Sequence, residues 1–252
     1  MSDYRQPGYG APTRTGYADA TMDLGLRSYM LGVYNYMALG LLVTAAAAYG
    51  LYSASFVEAN GQIVGLTSLG QTIFTGPLMW VLMLAPLAFV LVLSFGINKL
   101  SASTAQILFW AFAAVMGASL SSIFAVYAHG SIFRVFLITA GMFGATSLYG
   151  YTTNRDLTSI GGFLMMGLFG LIIASIVNLI WPSGALAFAI SVIGVVIFTG
   201  LAAYDTQQIK NSYDARDETG FAAKKQIMGA LSLYLDFINL FLMLLRLIGD
   251  RR

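Results

Sequence analysis

The chain has 252 residues, of which 58% are hydrophobic and only 10% charged, with 13 Lys and Arg against 11 Asp and Glu. An ordinary soluble domain carries about 25% charged residues, so this composition cannot cover a water-facing surface without large apolar patches, and it is far too apolar for a disordered chain. A net charge of +2 argues against a nucleic-acid binder, and the lack of cysteine excludes disulfides, thiol nucleophiles and thiolate metal sites.

Residues 1–28 are polar and rich in Tyr, Gly and Pro. They read as a disordered tail ahead of a membrane domain covering 29–252. The segment does not read as a cleaved signal peptide, because the first apolar run is too long and follows a mixed-charge leader. A spanning helix needs about 20 mostly apolar residues. Seven segments qualify: 29–52, 78–97, 104–127, 132–151, 160–181, 185–209 and 228–249. The short connections at 98–103 and 129–131 require antiparallel neighbours, hence a compact all-α bundle. Pro77 fits a first helical turn, whereas Pro86 falls inside the second span and predicts a kink.

Small residues recur four apart at Gly40, Thr44 and Ala48, at Ala113, Gly117 and Ser121, and at Gly141 and Ala145. Such rows let helices approach closely in lipid. The seven spans permit a 3 + 3 pseudo-repeat followed by a seventh helix, although no residue-level repeat accompanies it.

Orientation follows from Lys and Arg. With the N-terminus cytoplasmic, that side receives Arg5, Arg14, Arg27, Lys99, Arg155, Lys210, Arg216, Lys224 and Lys225, against Arg134 on the other side. A full seventh span puts Arg251 and Arg252 outside, and a re-entrant one returns them to the cytoplasm. The mixed-charge segment 211–225 reads as a solvated connector, and the sole histidine, His129, as a solvated loop residue.

Charged residues within the spans are Arg134, Asp205, Asp236 and Arg246. The arginines lie near helix ends and can snorkel to the headgroups. A buried aspartate costs about 2.5 to 3.5 kcal/mol on insertion scales, so each is expected to face the bundle interior or a wet cavity. Asp205 lies about 7 Å along a helix from Lys210, and Asp236 about 16 Å or less from Lys225. Two antiparallel spans joined by one loop can therefore bring them side by side, as a pair sharing a proton and titrating in two separated steps. Ser232, Asp236 and Asn239 share one helical face, which predicts an inward polar seam. A shared-proton bond that merely locks two helices is the plainer alternative.

At these residues the sequence becomes recognisable. The stretches Gly200-Leu-Ala-Ala-Tyr-Asp-Thr-Gln-Gln-Ile-Lys210 and Leu231-Ser-Leu-Tyr-Leu-Asp-Phe-Ile-Asn-Leu-Phe-Leu-Met-Leu-Leu-Arg-Leu-Ile-Gly249 resemble the two signatures of the Bax inhibitor-1, or transmembrane Bax inhibitor motif, family. The bacterial branch is the nearer likeness. Val33-Tyr34, Met37-Ala-Leu-Gly-Leu41 and Tyr149-Gly-Tyr-Thr-Thr-Asn-Arg-Asp-Leu157 are consistent with it.

The resemblance implies a seven-helix membrane protein of a bacterial inner membrane, with two three-helix layers around a central C-terminal helix. It also implies a pH-sensitive calcium leak in which Asp205 and Asp236 form the sensor and transient calcium ligands. A relative's latching arginine near the end of the second helix is missing here, where Ile97-Asn98-Lys99-Leu100 stands, so Asn98 or Lys99 is left as a partial latch. No cofactor is expected. The family also implies a second reading, a non-transporting regulator of a membrane-bound ATP-dependent protease or another membrane partner. An intramembrane aspartyl protease fits poorly, because Leu233-Tyr-Leu-Asp236 departs from the Gly-x-Gly-Asp of such enzymes and no Pro-Ala-Leu follows. The chain is therefore read as no enzyme.

Overall fold

The computed structural model describes residues 15–59 and 62–252, with side chains from Leu24 onward. Nine helices and one hairpin occur in the described residues: α1 (Thr15–Ser55), β1 (Phe56–Ala59), β2 (Gln62–Leu66), α2 (Ser68–Phe74), α3 (Leu78–Gly96), α4 (Ala102–Leu120), α5 (Ile123–Val126), α6 (His129–Thr152), α7 (Thr158–Ile180), α8 (Gly184–Asn211) and α9 (Thr219–Ile248). Seven of these stretches are long and apolar enough to cross a membrane. The chain is thus an all-α polytopic membrane protein, with spans centred where hydropathy puts them.

The helix ends follow local chemistry. Ser101 and Ser183 cap α4 and α8, their hydroxyls accepting from the amides of Thr104 and Leu186. Pro86 removes one amide from α3, which frees the carbonyl of Leu82, and Ser119 of α4 donates its hydroxyl to that oxygen.

α9 is the centre of the bundle. In its most apolar stretch 72% of residues are buried, against 11% for α3 and α7. It packs against α1, α4, α6 and α8. Around it, α4 lies between α1 and α3, and α8 lies between α6 and α7. Each group of three repeats one pattern, the first and second helices each packing on the third. Because three spans reverse direction, the second group runs inverted relative to the first.

Backbones approach where side chains are smallest. A Cβ on Gly117 would meet Thr44 O at 2.3 Å, joining α4 to α1, and one on Gly150 would meet Ala203 O at 2.1 Å, joining α6 to α8. The first two small-residue rows therefore pack on each other. The third does not: Gly141 and Ala145 are exposed, and Gly150 makes the α6 contact instead. Near the first rows, Tyr234 of α9 reaches Thr44 Oγ1 at 2.6 Å, and Thr44 donates to the carbonyls of Ala113 and Gly40, both at 2.9 Å.

Several expectations shift. α1 begins at Thr15, inside the segment expected as a tail, and residues 1–14, with Arg5 and Arg14, lie outside the described residues. α9 begins at Thr219, so the second part of the expected connector, including Lys224 and Lys225, is helix. With 30 residues it is about 45 Å long. It is not re-entrant, because its far end meets the opposite face of the bundle. There the amide of Ala128 donates to Asp250 O, the amide of Arg252 to Val126 O, and Arg252 pairs with Glu58 of the hairpin. His129 opens α6, half-buried among the rings of Tyr49, Tyr52 and Phe124, with Nε2 buried and unpartnered. Its expected place in a solvated loop fails because the C-terminal strap and the aromatic cluster fold around it.

Candidate functional site

Asp205 sits two turns before the end of α8, and Asp236 lies midway along the apolar part of α9. The helices are antiparallel neighbours, and the two carboxyl groups face one another within hydrogen-bond reach. Asp236 is 6% exposed, and its Oδ2 has no hydrogen-bond partner. An unpaired buried carboxyl oxygen in apolar surroundings is costly, which favours the protonated form of the pair.

Both aspartates line a cavity of about 910 Å³ that opens between α3 and α7. Ser232 and Asn239 line it too, so the polar seam is assembled, although Asn239 already donates to Leu235 O at 2.8 Å. Ser119 and Ser175 add hydroxyls that the sequence reading did not single out. From the acid pair the cavity runs toward Met83 and Leu179, near the hairpin face. Toward the lysine-rich face the buried residues Leu93, Ala105, Ile209 and Ile227 fill the bundle.

Asn98 and Lys99 do not line this cavity. Both are exposed in the turn between α3 and α4. The cation bound to that turn is Lys224 of α9, whose Nζ donates to Ile97 O and Leu100 O, each at 3.2 Å. Free carbonyls at the C-terminal end of α3 attract a cation there. No sequence spacing signals this contact, since 127 residues separate Lys224 from Ile97.

A hydroxyl chain reaches α8 beside Asp205. Tyr34 Oη lies 2.6 Å from Ser147 Oγ, which lies 2.8 Å from Thr206 Oγ1. Gln207, next along α8, clips the turn between α6 and α7 by accepting from the Leu157 amide and donating to Arg155 O. Thus the α8 segment around Asp205 is fixed from several sides, whereas the α3 end packs on α4 and is bonded to α9 through Lys224.

On the hairpin face, the hydrogen bond from Tyr52 and the Arg252 guanidinium hold the Glu58 carboxyl below its ordinary value of 4.5. Arg252 is raised in turn by its hydrogen bond to Glu58. Among the described residues, no group of three or more His, Asp or Glu is placed to hold a metal.

Residues 26–252 match the family described as inhibitor of apoptosis-promoting Bax1. The chain is similar to an uncharacterized protein, RP147, of Rickettsia prowazekii, at 48% identity over 97% of this chain and 98% of that one. It is 49% identical to the inner membrane protein YbhL of Escherichia coli, over 90% of this chain and 94% of the relative. An uncharacterized protein of Caulobacter vibrioides is 43% identical over the full length of both.

Proposed function

Since the chain belongs to the Bax inhibitor-1 family, we propose that it is an inner-membrane calcium leak whose opening is set by the protonation of Asp205 and Asp236. The observation that carries this reading is the acid pair at the inner end of a membrane cavity, flanked by Ser232 and Asn239. The inner-membrane placement rests on the similarity to YbhL and on the seven apolar helices, and the cation excess at the ends of α3, α6 and α8 favours a cytoplasmic N-terminus.

With one proton shared between them, the carboxyls attract each other and hold α8 against α9. When that proton leaves, two like charges repel at close range in a poorly solvated site. α8 is braced by Ser147 and Gln207, so the weaker element gives. That element is the α3 end, where Leu93 is buried between the cavity and the lysine-rich face and Lys224 supplies the tether. Calcium prefers about six to eight oxygen ligands. Two carboxylates with Ser232 and Asn239 supply only part of that shell, which suits an ion that keeps water and passes on.

Calcium uptake into liposomes, measured from about pH 6 to about pH 8, tests the reading. Uptake should rise with pH in the parent chain and lose that response in Asp205→Asn and Asp236→Asn. Uptake absent at every pH would reject it. The family description names an inhibitor, so a regulator acting on a membrane partner without transport is what that outcome would leave.

A further inference from the structure

The other flank of α9 carries a different cleft. α1 and α6 both pack on α9, and their hydroxyls meet at Tyr34 and Ser147. Beside that contact lies a cleft of about 750 Å³ lined by Leu31, Phe143, Gly144, Leu148 and Phe237. A cavity of about 340 Å³ continues it toward the hairpin face, sharing Leu41 and Phe237. Leu31 and Leu148 at its rim are 52% and 62% exposed, so the cleft opens sideways into the bilayer. A site this apolar offers water few partners, and a lipid chain is the neighbour able to fill it.

Its end on the lysine-rich face is marked by Arg27 and Tyr151. Lys210 Nζ lies 5.2 Å from the Tyr151 ring centroid, adding a second cation behind the ring. In the adjoining α8–α9 loop Asp214 pairs with Arg216 and Asp217 with Lys225, while Glu218 is exposed. Lys210 is held there by donating to Tyr151 O at 2.8 Å, so Arg27 is the cation that lines the mouth of an otherwise apolar slot. A guanidinium at the open end of an apolar slot suits a phosphate, which it can bind through two parallel hydrogen bonds.

We propose that the α1–α6 cleft binds one anionic phospholipid, an acyl chain lying against Phe143, Gly144 and Phe237 and the phosphate at Arg27. The site is separate from the aspartate cavity, and its test does not depend on calcium flux.

Native mass spectrometry of the full chain in detergent, with equal dioleoylphosphatidylglycerol and dioleoylphosphatidylcholine, tests it. The parent chain should retain one phosphatidylglycerol in preference to phosphatidylcholine. Arg27→Gln, at an exposed position, should cut that preference by about fivefold, the effect of one cation at a membrane surface. A Cβ at 144 meets nothing within 4 Å, so Gly144→Phe projects into the cleft and should lower retention of both lipids, whereas Gly144→Ala should retain them. Equal retention of the two lipids by the parent chain overturns the proposal. So does retention unchanged in both Arg27→Gln and Gly144→Phe, or equal displacement of bound lipid by glycerol 3-phosphate alone, which would mark a site for a soluble phosphate.

Discussion

Two glycines on α6 should answer the same substitution in opposite directions. At Gly150 a Cβ would stand 2.1 Å from Ala203 O and 2.9 Å from Ala203 Cα. Ordinary contact begins near 3.4 Å, so Gly150→Ala must move α6 off α8 by roughly 1 Å. The obstacle is backbone, which no rotamer change can relieve. Overpacking of this kind costs about 1 to 3 kcal/mol, against a gain of about 0.5 to 1 kcal/mol for replacing a helical glycine by alanine. The clash wins, and Gly150→Ala should destabilise the bundle by about 1 to 2 kcal/mol. At Gly144, where a Cβ meets open space, only the gain remains, and Gly144→Ala should be neutral or stabilising by up to about 1 kcal/mol. Unfolding in mixed micelles with increasing dodecyl sulfate, followed by circular dichroism, reads both. The gap should be about 2 kcal/mol, or ~30-fold in the unfolding constant. Equal stabilities would refute the close approach of α6 to α8 that fixes the segment bearing Asp205.

Removing the tether at the α3 end should loosen the closed state. Lys224→Met loses two charge-assisted bonds at a partly exposed site, about 1 kcal/mol after allowance for solvent, so calcium leak at low pH should rise about fivefold, and an unchanged leak would contradict the role given to Lys224. The strap at the hairpin face should respond to acid. Because the Glu58 carboxyl is held below its ordinary value of 4.5 in the folded chain, the Glu58–Arg252 pair stabilises the strap fully above that value, and the contribution is lost as pH falls through the lower folded value. Protection of the amides of Ala128 and Arg252 from hydrogen exchange, relative to the unstructured rate at the same pH, should fall in that acid range, and Arg252→Gln should lose the same protection at neutral pH. Reporter fusions should place the end of the chain after Arg252 on the opposite side of the membrane from a fusion ahead of α1; the same side for both would contradict a full α9 span.

The spans were legible because lipid demands long apolar helices, a property that composition and run length carry directly. Asp205 and Asp236 were legible for the converse reason, as the two acids inside those runs. Their meeting could be inferred from one connecting loop and antiparallel geometry. What escaped reading depends on approach between distant segments. Lys224 looked like any loop lysine until the C-terminal carbonyls of α3 arrived beside it. Glu58 finds Arg252 across 194 residues, and the hairpin carrying Glu58 lies in the connection 53–77, where neither strand is long enough for alternation to mark it. The row at Gly141 and Ala145 had the right spacing on the wrong face of α6, because four-residue spacing fixes a stripe but not which neighbour it meets. The division of the inter-layer space into an acid cleft at α3 and α7 and an apolar one at α1 and α6 follows from packing alone.

Whether Asp205 and Asp236 act as one proton-controlled unit is read by calcium flux through Asp205→Asn, Asp236→Asn and the double variant, each across the same pH range. Acting as a unit, either single change should abolish the pH response, and the double variant should add no further effect. A pH response surviving in either single variant, or additive losses in the double, would contradict it.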